Sequence, residues 1–255
     1  MSLETDQPSD EPILSLRGIG KSYGAVNAVA DVDLDVMRGE VLAICGDNGA
    51  GKSSLIKIIS GAEEPTAGRM RLNGQEVHFL SPADALEQGV ATIYQDLALA
   101  PRLSIMQNVF LGSEHTRTWL GPFIRVLDKR RMADDARGFV QRLNPSLTDV
   151  DRAVQSLSGG QRQAVAIARA LRWNASIIIM DEPTAALGVK ETAQVLDLVR
   201  RLKDEGRTVI LISHSMRDVI ALADRAIIMS GGHKIADMPL AGITAEQLSH
   251  RVMGS

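Results

Sequence analysis

The sequence holds a single cysteine, Cys45, so no internal disulfide can form. A lone cysteine excludes a disulfide-stapled secreted scaffold and points to a reducing compartment. Aromatic residues are only 3% of the chain, too few to build a stacking surface for single-stranded nucleic acid. Neither sign of charge dominates: 28 Lys and Arg stand against 31 Asp and Glu, for a formal net charge of −3. Nucleic-acid binding, which usually carries a basic excess, is therefore not expected. No apolar run approaches the ~18 residues needed to cross a bilayer. The opening stretch, MSLETDQPSDEP, is acidic and lacks a charged-then-apolar leader pattern. There is no internal repeat, heptad array or low-complexity tract. What is present, 255 residues of which 45% are hydrophobic and 23% charged, fits a cytoplasmic globular protein with a sizeable core.

Residues 1–12 hold four acids, two prolines and no apolar pattern, and read as a disordered tail. From Ile13, alternation through Leu16 and again over Val26–Val36 suggests antiparallel strands and hairpins. Val41-Leu42-Ala43-Ile44-Cys45 is instead continuously apolar, as a strand buried on both faces must be. Similar runs begin at Val90, Ile177, Val209 and Ala226, with helical patterns at Lys52–Ser60, Gln161–Trp173 and Lys190–Glu205. Strands alternating with helices predict an α/β fold with a mainly parallel sheet, preceded by an antiparallel β subdomain. The stretch from Asp96 to about residue 164 breaks the rhythm and reads as an inserted helical subdomain, with a charged helix-like segment at Arg125–Leu143. Lys234–Ser255 reads as a short helical finish. The domain expected is thus 13–255.

Gly46-Asp47-Asn48-Gly49-Ala50-Gly51-Lys52-Ser53 fits G-x-x-x-x-G-K-[ST] and sits between a buried strand and a helix. Backbone N–H groups can surround phosphate oxygens only where side chains stay clear, and a helix start adds its positive end. Lys52 is expected to reach the β- and γ-phosphates of ATP, Ser53 to ligate Mg²⁺, and Ser54 to complete the cradle. A second buried strand, Ile177–Met180, ends in Asp181-Glu182. Ligands gather at the carboxyl ends of parallel strands, so these acids should face the same loop. Asp181 is the expected Mg²⁺ partner and Glu182 the general base for the attacking water; an N-cap pair for the next helix is the blander alternative. Cys45 reads as a small buried residue rather than a reactive thiol.

Leu157-Ser158-Gly159-Gly160-Gln161 makes a second anion-ready helix start. With Arg162–Leu171 behind it, this segment resembles the signature of ATP-binding cassette ATPases, and from Ile13 onward the motifs occur in that family's order. The resemblance implies that Tyr23 stacks on adenine, that Gln95 touches Mg²⁺ and the water, and that His214 contacts the γ-phosphate. It implies a head-to-tail pair of cassettes, expected to be identical, in which ATP on Gly46–Ser53 of one is covered by Ser158–Gln161 of the other. His78, His115, His233 and His250 have no such context.

Gln95 through Gly112 and Pro183–Thr192 resemble bacterial sugar importers of the ribose, xylose and fructose group, in a single-cassette version. At Gly188 the chain departs from the many cassettes that carry Asp in the loop crossing the dimer interface. The resemblance implies a membrane permease docking near Gln95–Gly112, a periplasmic sugar-binding protein acting indirectly, and a peripheral position on the cytoplasmic face of the cell membrane. A non-transport cassette for DNA repair or translation, or an importer motor for a non-sugar solute, is the alternative. A GTPase would need an N-K-x-D guanine reader, and none occurs.

Overall fold

The computed structural model describes residues 11–118, 124–185 and 187–254. The expected disordered tail falls outside them for residues 1–10, as does Ala186 of the Pro183–Thr192 segment.

The five-residue strand β3 (Val41–Cys45) shows how the layers arise. Every residue in it is buried. Alternate side chains of a strand point to opposite faces. Leu42 and Ile44 enter one core, while Val41 and then Ala43 and Cys45 enter the cores on the other face. Beside β3 run β10 (Thr208–Ile212), β9 (Ile177–Asp181) and β6 (Val90–Ile93) on one side, and β11 (Arg225–Ser230) on the other, all parallel. Each fully buried Ile or Leu of these strands contributes about 1.5–3 kcal/mol relative to exposure.

The Leu42/Ile44 face packs on α1 (Lys52–Ile59) and on an antiparallel sheet of β1 (Leu14–Tyr23), β2 (Val26–Val36), β4 (Ala67–Leu72) and β5 (Gln75–Val77). The opposite face packs on α3 (Ile105–Phe110), α4 (Lys129–Leu143), α5 (Gly159–Arg172) and α6 (Val189–Asp204). At the β11 end, α7 (Met216–Leu222) and α8 (Ala245–Met253) close a smaller core with Ala43 and Cys45. The α/β class with an N-terminal antiparallel sheet and a helical segment between β6 and β9 therefore holds. The sheet is mixed rather than wholly parallel at its edge.

Two segments differ from the sequence expectation. Arg125–Leu143 is not helical throughout: Arg125–Leu127 (β8) pairs antiparallel with Thr116–Thr118 (β7), and α4 begins only after Asp128. Asp128 accepts the Arg131 N–H at 3.2 Å, which caps the helix and fixes its start. Lys234–Ser255 does not finish as a helix alone. His233–Pro239 (β12) pairs antiparallel with β11 before α8 starts at Ala245. An edge strand has one free side, so β12 alternates only between exposed and half-buried, and its hydrophobic signal is weak.

Burial pushes the Cys45 thiol up to about 11. Folded protein should therefore resist iodoacetamide at pH 8 and become alkylated only on unfolding, as read by intact mass. Rapid labelling of the native protein would contradict the placement of β3.

Candidate active site

The chain leaves β3 at Gly46, wraps a loop over the sheet's carboxyl edge and enters α1 at Lys52. The loop is possible only with glycine at its ends. Gly46 has φ 147°, and a Cβ there would lie 2.3 Å from the Met229 carbonyl oxygen. Gly51 has φ 99°, and a Cβ there would lie 2.3 Å from the Ala28 oxygen. Residues 48–54 then line a cavity of about 310 Å³ together with Ala28, Asp181, Glu182, Ile212 and His214. Gly46 and Asp47 do not line it, but their carbonyls hold the lysine: the buried Lys52 Nζ donates to Gly46 O at 2.6 Å and Asp47 O at 2.8 Å.

No carboxylate pairs with this ammonium among the described residues. Burial pulls the Lys52 pKa down, with Glu182, Asp47 and Asp181 acting at longer range in the other direction. A buried cation held only by carbonyls, over a backbone with no room for side chains, fits a phosphate group. Asp181 is the mirror case. Burial and the neighbouring Glu182 push its pKa up, and Lys52 and His214 only partly oppose them. A half-buried carboxyl lining the same cavity as Ser53, with this unmet demand for positive charge, fits a hard divalent cation.

Glu182 takes a left-handed conformation, φ 49°, directly before Pro183. A non-glycine residue rarely adopts it, and the cost is about 1 kcal/mol or more. The strain is held by its own N–H, which donates to Ile212 O at 2.9 Å. The result is that the carboxylate turns toward His214, with Oε1 2.8 Å from Nε2. Lys52, Ser53, Ser54, Asp181, Glu182 and His214, read from the sequence as one site, do line one cavity.

Three other expectations stand apart from it. Gln95 lines a neighbouring cavity of about 530 Å³, which shares Glu182 as a wall and also contains Gly159, Gln163 and Pro183. Tyr23 ends β1 half-exposed, its hydroxyl donating to Glu63 and its ring 5.3 Å from Lys21 Nζ. That hydrogen bond, with burial, pushes the Tyr23 pKa up. Ser158–Gln161 do not line the loop cavity of their own chain. They build the start of α5, where Ser158 Oγ accepts the Gln161 N–H at 3.3 Å and Gln161 Oε1 accepts the Ser158 N–H at 3.0 Å. The two glycines there also permit close packing. A Cβ on Gly159 would lie 2.5 Å from Leu187 Cδ2, and one on Gly160 2.6 Å from Gln194 Oε1.

Sequence reasoning missed Ala28 and Ile212 in the cavity wall, and the contacts of Gln163 with Pro183 and of Glu191 with Gly159. Gln163, a polar residue directly before the apolar run Ala164–Ala168, was the one signal available.

The Asp181 direction gives a stability test. Its native pKa lies above the ordinary value, so stability falls as pH rises through the window between the two. At pH 7.5 the ionised carboxyl is a net cost to the protein without nucleotide. Asp181→Asn should then melt at the wild-type temperature or up to about 4 °C above it. A clear fall in Tm, by differential scanning calorimetry, would contradict the electrostatic account.

Comparison with known proteins gives independent findings. A family model described as ABC transporter matches residues 29–185, and one described as P-loop domain matches 123–251. The fructose import ATP-binding protein of Rhizobium meliloti is 47% identical over 229 residues, which is 89% of this chain and 88% of that protein. The xylose/arabinose import ATP-binding protein of Sulfolobus acidocaldarius is 45% identical over 220 residues, 86% of this chain and 85% of that one. A ribose import ATP-binding protein of Rubrobacter xylanophilus is 41% identical over 96% of this chain, which spans only 48% of that relative's length. Among solved structures, a nucleotide-free ATP-binding cassette from an ABC transporter superposes with TM-score 0.79 at 27% identity, covering 95% of each chain. A dimeric cassette in a post-hydrolysis state with ADP and phosphate superposes at 0.74 and 26% identity, covering 90% of this chain and all of that one.

Proposed function

The chain belongs to the ABC transporter ATPase family, and from that premise we propose that it binds and hydrolyses ATP to drive import of a sugar through a membrane permease. The observation that carries the reading is the single cavity in which the glycine loop and buried Lys52 face Asp181, Glu182 and His214. The sugar class rests on the likeness to import ATP-binding proteins for fructose, xylose or arabinose, and ribose.

In this reading the γ-phosphate of ATP replaces the Gly46 and Asp47 carbonyls as partner of Lys52, while loop N–H groups of Gly49–Ser54 take the remaining oxygens. Ser53 and Asp181 would hold Mg²⁺, and Gln95 would join them from the neighbouring cavity. When bound, the ion would supply positive charge that offsets the phosphate charge. Glu182 accepts a proton from the attacking water as the new P–O bond forms and the bond to ADP breaks. His214 orients Glu182 before the reaction and contacts the γ-phosphate during it. Tyr23 supplies the ring beside adenine, its angle set by the bond to Glu63.

The same reading places ATP between two copies. Ser158, Gly159, Gly160 and Gln161 of one chain cover the ATP held by Gly46–Ser53 of the other, so closure depends on the γ-phosphate and hydrolysis reopens the pair. In this reading residues 13–255 act as one cassette, with a helical subdomain inserted at about 96–164. A groove of about 480 Å³ beside β6 and α5, with Leu111 and Gly112 at one end, supports a permease site. Leu86, Ile93, Tyr94, Leu111 and Trp173 line it, and it overlaps the Gln95–Gly112 surface at its far end. A permease helix seated there would hold the chain at the cytoplasmic face of the membrane, and a periplasmic sugar-binding protein would act through the permease. Among the described residues no helix is long and apolar enough to cross a membrane.

Glu182→Gln should lower kcat by on the order of a thousandfold, retain ATP binding, and elute as a dimer with ATP in gel filtration. Lys52→Ala should lose binding and the dimer together. A Glu182→Gln protein that stays monomeric in saturating ATP would defeat the paired-site reading. Leu111→Asp, on the exposed groove rim, should keep basal ATPase activity and lose stimulation by the permease and loaded binding protein. Unchanged stimulation would remove the groove from the account.

A further inference from the structure

The start of α5 is fastened to the loop that follows Glu182 at two points. Glu191, in the first turn of α6, accepts the Gly159 N–H on Oε1 at 2.8 Å and reaches the Gly188 N–H with Oε2 at 3.4 Å. One carboxylate thus caps two helices and joins them. Four residues further along α5, Gln163 donates from Nε2 to the Pro183 carbonyl at 3.1 Å, next to Glu182. Gln163 is 4% exposed, and its Oε1 has no partner among the described residues. A buried acceptor left without a partner costs about 1–3 kcal/mol, so Gln163 is not the residue that stability alone would select there. A leucine would fill the same space without the orphan oxygen. Between the two pins lies Leu187, packed against Gly159.

Gly188 has no side chain with which to bind across an interface or to fix this loop. The Glu191 carboxylate holds the loop from within the chain instead. We propose that Glu191 and Gln163 are positioning residues that fasten the Glu182-bearing loop to the start of α5, so that displacement of α5 when it covers the partner's ATP is carried to the general base of this chain's own site. The inference rests on the reading of Glu182 as the base. It adds a rigid connection between the two ATP sites of a pair, made by two hydrogen bonds that cross 32 and 20 residues of sequence. The strained backbone at Glu182 makes the connection consequential, because a left-handed residue persists only while its surroundings hold it there.

The test is steady-state ATPase kinetics on the full chain, with nucleotide binding and melting measured on the same samples. Glu191→Ala and Gln163→Leu should each lower kcat on the order of tenfold. KM and ATP affinity should stay within about twofold, and Tm within about 4 °C of wild type. Glu191→Gln keeps an acceptor oxygen at the same reach and should restore kcat to within about twofold of wild type, which a merely structural disturbance would not do. Wild-type kcat in both Glu191→Ala and Gln163→Leu would overturn the proposal. So would loss of ATP affinity in step with kcat, or failure of Glu191→Gln to differ from Glu191→Ala. Glu182→Gln is the control for the underlying reading: if it turns over like wild type, the base assignment falls first and this inference with it.

Discussion

A positive charge buried without an anion is the constraint on which the site depends. Lys52 begins α1, is almost wholly enclosed, and is held by two carbonyls of its own loop. An ammonium in that position needs either a lowered pKa or a negative partner. The surroundings keep carboxylates near enough to favour the charge but not to pair with it. Every other feature follows from keeping the place beside Lys52 open. Glycine stands at 46 and 51 because Met229 and Ala28 leave no room for a Cβ. Asp181 and Glu182 stop short of the lysine at the ends of their strand. The half-buried Asp181 carboxyl has the opposite need, and a phosphate–metal pair meets both at once.

The site was legible in the sequence to the extent that chemistry forces residue type at a fixed spacing. A strand buried on both faces must be apolar at every position, so Val41–Cys45 and Ile177–Met180 announced themselves, and a phosphate cradle needs glycine where Gly46 and Gly51 stand. The antiparallel sheet at the start was legible from its alternation. By contrast, β7, β8 and β12 are short or lie at an edge, where half the side chains meet water on either face. Their pattern cannot be told from a charged helix or a loop. Arg125–Leu127 was lost in the helical reading of the charged segment for that reason.

The contacts that unite the site were illegible on different grounds. Glu191 looks like any acid in the first turn of a helix, and that is a true description of it. Its second role arises only because α5 and α6 meet at Gly159 and Gly160, a fact of tertiary packing. The signature glycines illustrate how one residue type answers two demands. Small residues let α5 approach α6 and Leu187 closely, and they also leave the helix start clear of side chains. Glu182 forms the common wall of the two cavities, one beside the glycine loop and the other beside Gln95 and α5. Strain at that residue is where the two halves of the molecule meet.

The central claim is that this chain carries two phosphate-facing elements that serve different ATP molecules. Hydrogen–deuterium exchange of the full chain with saturating MgATP, repeated across a range of protein concentrations, measures it directly. The account predicts that amides of Gly49–Ser54 are protected by nucleotide at every concentration, whereas those of Ser158–Gln161 gain protection beyond that of the single chain only as the protein pairs. Protection of both segments independent of protein concentration, or of neither, would contradict it.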